Sequence, residues 1–243
     1  MNLQVHPIEH IPEIHPSVDL GAALLEGLAR SALEVQSKDI IAVAQKIVSK
    51  AEGRVVQLAA VHPSAYSQWI ARHVAKDPRL VEVILSETRR LVRLRRDVLI
   101  CETHHGFVCA NAGVDRSNVD GGNSVTLLPA DPDQSAAALA RQLGCGVIIT
   151  DTFGRPWREG LVDVAIGSAG VPPLLDYRGR TDGYGYPLRA TVLAPVDALA
   201  AAAGLVMGKT SRVPAVRIRG FEWTPVATNI RLLKRSSQKD LFR

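Results

Sequence analysis

An α+β fold with mixed sheets and packed helices is predicted for this 243-residue chain, and three observations predict it. Apolar runs of strand length and segments of helical period are interspersed without a steady strand-helix-strand rhythm. No internal repeat organises them. The one stretch that approaches a phosphate-loop pattern has the wrong neighbours, so neither a P-loop nor a Rossmann fold is expected. With 47% hydrophobic and 22% charged residues, the chain reads as one domain over residues 1–243, or two intimate subdomains, with a basic, mobile tail over 224–243.

The elements follow in order. Residues 2 to 6 suit a first strand, and Asp19 suits an N-cap for a helix with Leu20, Ala23, Leu24 and Leu28 on one face. "DIIAVAQKIVSKAEG" reads as a buried strand, Ile40 to Ala44, running into a segment with Lys46, Lys50 and Gly53. Residues 64 to 93 hold two helical patterns divided at Asp77 and Pro78. The second runs into "RRLVRLRRD", whose alternation fits a strand or a helix with one wet face. Strands are expected in "DVLICET" and "GFVCANAG", joined by His104 and His105. Adjacent residues in extended chain face opposite ways, which makes that histidine pair a poor chelator.

"LLPADPDQSAAALARQLG" carries a strong helix signature, with Asp131 as N-cap, Pro132 in the first turn and Gly144 as the stop. Val147, Ile148 and Ile149 form a short core strand ending at Asp151, and Gly154, Pro156 and Gly160 predict a loop after it. A glycine-rich polar stretch, a strand in "RATVLA", an alanine-rich helix from Asp197 and a last strand near "PAVRIRG" complete the chain.

Composition excludes some functions. The formal net charge of +5 comes from 29 basic and 24 acidic residues, a mild excess, and aromatics are 5% with no basic-aromatic interleaving. Nucleic-acid binding is not expected. Three cysteines without C-x-x-C spacing indicate reduced, buried thiols. No apolar run reaches membrane length and no signal-like segment opens the chain, so a cytoplasmic protein without membrane contact is expected.

Three stretches carry chemistry. In "GVIITDTFGRPWREG", Asp151 stands where a strand meets solvent, with Arg155 and Arg158 following. A carboxylate can hold a cation while guanidinium groups neutralise phosphate oxygens; the plain alternative is a surface ion-pair loop. In "CANAGVDRSNVDGGNSVTLLP", Asn111, Asp115, Arg116, Ser117 and Asn118 crowd behind Gly113. Asp115 and Asp151 could jointly hold one or two divalent cations, and Asn118 could read a base or ribose. The alternative is an Asx-rich turn. In "AGLVMGKTS", Ala203, Gly208, Lys209 and Thr210 approach the phosphate-loop spacing, but a helix precedes and a strand follows. Lys209 and the turn's N–H groups could still meet a phosphate by another geometry.

Taken in order, "HPIEHIPEI", "VAQKIVSKAEGR", "HHGFVCANAGVDRSNV", "LLPADPDQSA", "VIITDTFGRPWREGLVDVAIGSAG", "DYRGRTDGYGYPL", "AAAGLVMGK" and "PAVRIRG" resemble the coenzyme F420-0:γ-glutamyl ligase family over nearly the whole chain. The likeness is to the single-domain form, without the C-terminal flavin reductase-like domain of some bacterial members. It implies that family's fold and a GTP-dependent ligase that adds L-glutamate to F420-0, then a γ-linked glutamate, through an acyl phosphate. It also implies a homodimer using Mg²⁺ or Mn²⁺ and helped by K⁺. Carried over by position, the metal ligands are Asp115, Asp151 and Thr152. The nucleotide contacts are Ile11, Pro12, Glu13, Ile14, Gln45, Lys46, Lys50, Asn118, Met207, Gly208, Lys209, Thr210, Ser211, Arg212 and Val213. Asp115, Asp151, Lys50 and Arg155 are the expected catalytic group, with Lys50 and Arg155 or Arg158 holding charge on the leaving oxygen.

Two positions depart from the pattern. Many archaeal members have an acidic metal ligand where this chain has Lys209, so either one metal has fewer protein ligands or Lys209 brings its own charge near the γ-phosphate. Ala198 stands where a Glu follows Asp in much of the family. Three rival readings compete: a paralogous ligase acting on another phosphorylated carboxylate, a metal-dependent phosphohydrolase, and a noncatalytic anion-binding module. The D-x-D spacing of aspartyl-phosphate enzymes is absent, since Phe153 stands two after Asp151.

Overall fold

A computed structural model describes residues 2–116, 122–227 and 229–240. The chain begins with β1 (Gln4–Pro7), α1 (Leu20–Arg30), β2 (Ile40–Ala44), α2 (Gln45–Ala51) and β3 (Val55–Gln57). It continues with α3 (Ala65–Val74), α4 (Pro78–Ser86), β4 (Thr88–Arg95), β5 (Val98–Thr103), β6 (Val108–Ala110) and β7 (Ser124–Thr126). Then come α5 (Pro132–Leu143), β8 (Gly146–Arg155), β9 (Arg158–Ala169), β10 (Leu175–Asp176), β11 (Val192–Leu193), α6 (Pro195–Met207) and β12 (Ala215–Arg219). The α+β class holds.

The central sheet has the order β1-β12-β2-β8-β9. Only β2 and β8 run parallel, with Ala44 opposite Thr150; the other three pairings are antiparallel. Strand alternation sends the two faces into different cores. Ile41, Val43, Val147 and Ile149 pack with Leu24 and Leu28 of α1 and Leu139 and Leu143 of α5. Ile40, Ala42, Ile148 and Val216 pack with Val196, Leu199 and Ala203 of α6.

A third core belongs to the chain inserted between α2 and α5. Ile70, Val74, Val81 and Ile84 of α3 and α4 close over Leu99, Cys101 and Val125, beside the sheets β4-β5-β6 and β3-β7. The helix signals act as expected. Asp19, Asp77 and Asp131 accept N-cap hydrogen bonds, and Pro78 and Pro132 follow the last two.

Several boundaries differ from the sequence reading. The expected loop after Asp151 is the outer half of a long hairpin: β8 continues to Arg155 and β9 starts at Arg158. Pro156 sets one corner and Trp157 takes φ 57° at the next, so the turn needs only two residues. The second helical pattern stops at Ser86, and the arginine-rich run is strand β4. The lysine segment after β2 is helix α2, α6 starts at Pro195, and the "RATVLA" strand is only Val192–Leu193. His104 and His105 diverge, donating to Ser86 O and to Pro129 O. No helix among the described residues is long and apolar enough to cross a membrane.

Candidate active site

The parallel register decides where the site lies. Because Ala44 faces Thr150, the chain leaves β2 into Lys46 at the same sheet edge where β8 carries Asp151 and Thr152. Open sheets collect ligands at the carboxyl ends of parallel strands. Lys46 and Lys50 share one face of α2 at i, i+4 spacing. Lys46 Nζ lies 2.8 Å from Asp115 Oδ2, and Lys50 pairs with Glu13.

Asp115 comes from the inserted chain. Asn111, Ala112 and Gly113 take φ of 53°, 53° and 75°, three successive left-handed residues that turn the backbone sharply after β6. Only glycine adopts this region freely, and each of the other two costs on the order of 1 kcal/mol. Asp115 then forms an isolated bridge with Thr126: N to O is 3.0 Å one way and 2.8 Å the other. Its carboxylate is thereby pointed towards α2 and Asp151.

The electrostatics bind these pieces into one place. Burial pushes the Asp151 carboxyl up to about 7; the Thr152 N–H opposes this, the charges of Asp115 and Asp163 add to it, and Lys209 offsets part. Burial likewise raises the Cys109 thiol to about 12, with Asp151 adding to the rise. Cys109 therefore stands beside the site as a protonated thiol, a poor nucleophile at neutral pH.

Asp163 was not singled out from the sequence. It faces Thr152 across the β8–β9 pair and accepts a hydrogen bond from the Thr152 hydroxyl. Lys209 donates to that same hydroxyl, and its Nζ is 3.4 Å from Asp163 Oδ1. The available signal was a lone acid inside the apolar run "LVDVAIG". Helix α6 makes room for it at Gly204, where a methyl group would run into the Asp163 carboxylate.

The remaining expected contacts scatter more widely. Ile14 and Met207 are buried core residues, Ile11 packs against the core, and Pro12 is exposed. Gln45 is buried and accepts from Ser49 Oγ at 2.8 Å. Gly208 ends α6 with φ 57°, ψ −160°, and Arg212 is left-handed at φ 57°. Thr210 and Ser211 are exposed and Val213 is half-buried along that turn. The Arg155 guanidinium donates to the carbonyls of Glu159 and Gly160, closing its own hairpin. Asn118, like Ser117, lies outside the described residues.

An open cleft of about 1000 Å³ adjoins the site, lined by Arg89, Arg90, Phe107, Phe153, Val164 and Lys234 among others. Phe107 and Phe153 meet edge to face at 6.3 Å. Among the described residues, no three His, Cys, Asp or Glu side chains could hold a metal ion by themselves. Two carboxylates suit Mg²⁺ or Mn²⁺ nonetheless, because such ions complete their shell with substrate phosphates and water.

The family model for F420-0:γ-glutamyl ligase matches residues 9–220. A protein of Methanothermobacter thermautotrophicus named coenzyme F420:L-glutamate ligase is 43% identical over 100% of both chains. Proteins of that name from Methanopyrus kandleri, at 45% over 99% of this chain and 98% of the relative, and from Methanocaldococcus jannaschii, at 39% over 86% of each, are similar as well. With matches this long, on an α+β framework that brings Asp115 and Asp151 to one sheet edge, the chain belongs to the F420-0:γ-glutamyl ligase family.

Proposed function

We propose that the protein joins L-glutamate to the carboxylate of F420-0, and a γ-linked glutamate to the product, using GTP. The observation that carries this reading is the meeting of Asp115 and Asp151 at the carboxyl ends of β2 and β8, ringed by Lys46 and Lys209. The names of relatives aligned over the full chain support the substrate pair.

The chemistry fits those residues. A carboxylate is a poor electrophile, so an oxygen of the acceptor attacks the γ-phosphorus and GDP leaves, giving an acyl phosphate. The glutamate amine then attacks the acyl carbon, phosphate departs, and the amine loses a proton. Lys46 and Lys50 hold phosphate oxygens from one face of α2, exchanging the carboxylates that engage them now. The Arg155 guanidinium is engaged by the Glu159 and Gly160 carbonyls, which favours Arg158 as the arginine that holds charge on the leaving oxygen. Asp115 and Asp151 would hold Mg²⁺ or Mn²⁺, which when bound screens the repulsion among phosphates and carboxylate. The cleft beside Phe153, whose lining mixes Arg89, Arg90, Lys234 and Arg235 with Glu102, Asp197 and Asp240, receives the acceptor.

K⁺ as an activator, a homodimer and a cytoplasmic setting belong to the same proposal. The test is incubation with GTP, Mn²⁺, L-glutamate and F420-0, followed by mass spectrometry. A gain of one glutamyl unit with stoichiometric GDP is expected. GDP without a glutamyl product would favour the phosphohydrolase, and a product only with another carboxylate would favour the paralogous ligase.

A further inference from the structure

We propose that Lys209 is a tethered cation, standing where Thr152 and Asp163 would otherwise take a second metal ion, so that this chain binds one divalent ion rather than two. The proposal rests on the metal reading of Asp115 and Asp151 above and adds a specific role for a residue that follows α6.

The side chains lead to it directly. The charges of Asp115 and Asp163 both act on Asp151, although the three carboxylates do not gather closely enough to hold one ion together. Two of them already meet an ammonium: Lys46 at 2.8 Å from Asp115 and Lys209 at 3.4 Å from Asp163. Asp151 accepts no side-chain hydrogen bond from any described residue, the Thr152 backbone N–H being its partner. The Thr152 hydroxyl is used in both directions, accepting from Lys209 and donating to Asp163. An oxygen so engaged, with a fixed positive charge against it, repels a second cation at the same place. Lys46 Nζ, 2.8 Å from Asp115 Oδ2, gives up that carboxylate when a phosphate and its ion arrive, as the proposed function requires.

The backbone is built to deliver Lys209 there. Gly208 stops α6 in a conformation that other residues rarely adopt, and the next side chain turns back onto the β8–β9 pair. Gly204, one turn earlier in α6, leaves the space that Asp163 occupies. With its side chain two-thirds exposed (66%), Lys209 is also open to the side from which a phosphate would arrive. A side-chain ammonium is tethered to the chain and does not depend on the metal supply. Such a site therefore needs only one ion to be loaded.

The experiment counts ions. Metal-free protein is titrated with Mn²⁺ alone, bound ions are counted by calorimetry, and the electron paramagnetic resonance spectrum of the saturated protein is recorded. Wild type and Lys209→Arg are expected to bind about one Mn²⁺ per chain with the spectrum of an isolated ion. Lys209→Asp is expected to bind about two, with the broadening of a close pair. Lys209→Met replaces it as the test should the aspartate variant not fold, and is expected to admit the second ion more weakly. Two ions in wild type, or one ion in every folded variant, would overturn the role of Lys209 while leaving the metal reading intact. No ion in wild type would overturn both.

Discussion

Asp151 and Asp115 reach the same site by opposite means. Asp151 extends a strand in the middle of the main sheet, between β2 and β9, with Val147 and Ile149 fully buried behind it. Asp115 follows three left-handed residues in the inserted chain, backed by the third core. The first side is fixed by packing alone; the second stores backbone strain that packing must restrain, with Ala112 only 1% exposed. Damage should therefore read differently on the two sides: chemistry fails first at the sheet, and stability responds to backbone repair in the insertion.

The largest effect is expected at the sheet side. Asp151→Asn should cut GTP-dependent GDP release by ~100-fold or more, with a thermal midpoint equal to or above that of wild type. The stability half follows because Asp115 and Asp163 repel the Asp151 charge and burial disfavours it. Near-normal turnover would remove Asp151 from the chemistry. A large fall in the midpoint would mean that the carboxylate is a structural member of the sheet.

Gly204→Ala tests the same side from behind. In an exposed helix this change would be favourable by up to ~1 kcal/mol. Here the new methyl meets the Asp163 carboxylate, so a loss of about 1–3 kcal/mol in chemical denaturation is expected, together with slower turnover. A gain in stability would show that Asp163 moves aside freely and that its link to Thr152 is loose.

How much of this was legible in the sequence differs by residue for physical reasons. Asp151 and Asp115 showed themselves because each follows an apolar strand and sits among residues that a buried core would not tolerate. Asp163 was hidden, since its relevance depends on the β8–β9 register, which no local pattern states. The local pattern of the hairpin reads as a loop because Gly154, Pro156 and Gly160 are all chain breakers. Two of the three lie within the strands, where the exposed outer half of the hairpin tolerates them. The α+β class survived these errors because it rests on the mixture of periods rather than on any one boundary.

Acid sensitivity compares the regions through two carboxylates. Burial would raise Asp39, but hydrogen bonds from Arg219 and the Gln36 N–H and the charges of Arg219 and Arg217 hold it below its ordinary value. Asp77 is lowered chiefly by the Arg79 side chain, against a smaller opposing effect of burial. A lowered carboxyl contributes stability above its unfolded pKa and loses it as pH falls through the folded value. Both contributions should fade below about pH 4. Asp39 and Arg219 are 180 residues apart and join β12 to the loop before β2, whereas Asp77 and Arg79 are neighbours that partly keep their pairing when unfolded. Urea midpoints measured from about pH 6 to about pH 2 should therefore flatten more in Asp39→Asn than in Asp77→Asn. Equal flattening would mean that local pairing is lost as completely on unfolding as the long-range pair.

The smallest effect is the cleanest contrast. Helix α5, on the main sheet, ends at Gly144 with φ 70°, while α3, in the insertion, ends at Ala75 with φ 51° in the same left-handed region. A methyl at residue 144 would meet nothing within 4 Å, so Gly144→Ala should lose about 1 kcal/mol through backbone strain alone. Ala75→Gly removes that strain but gives the unfolded chain more freedom, leaving a net gain of ~0.5–1 kcal/mol. Both should appear in one cooperative denaturant transition, because the Lys46–Asp115 pair and the Lys234 ammonium donating to the His105 carbonyl tie the insertion to the rest. If Ala75→Gly instead shifts only an early, separate transition, the insertion unfolds on its own, and Asp115 is carried by a less stable unit than the one that carries Asp151.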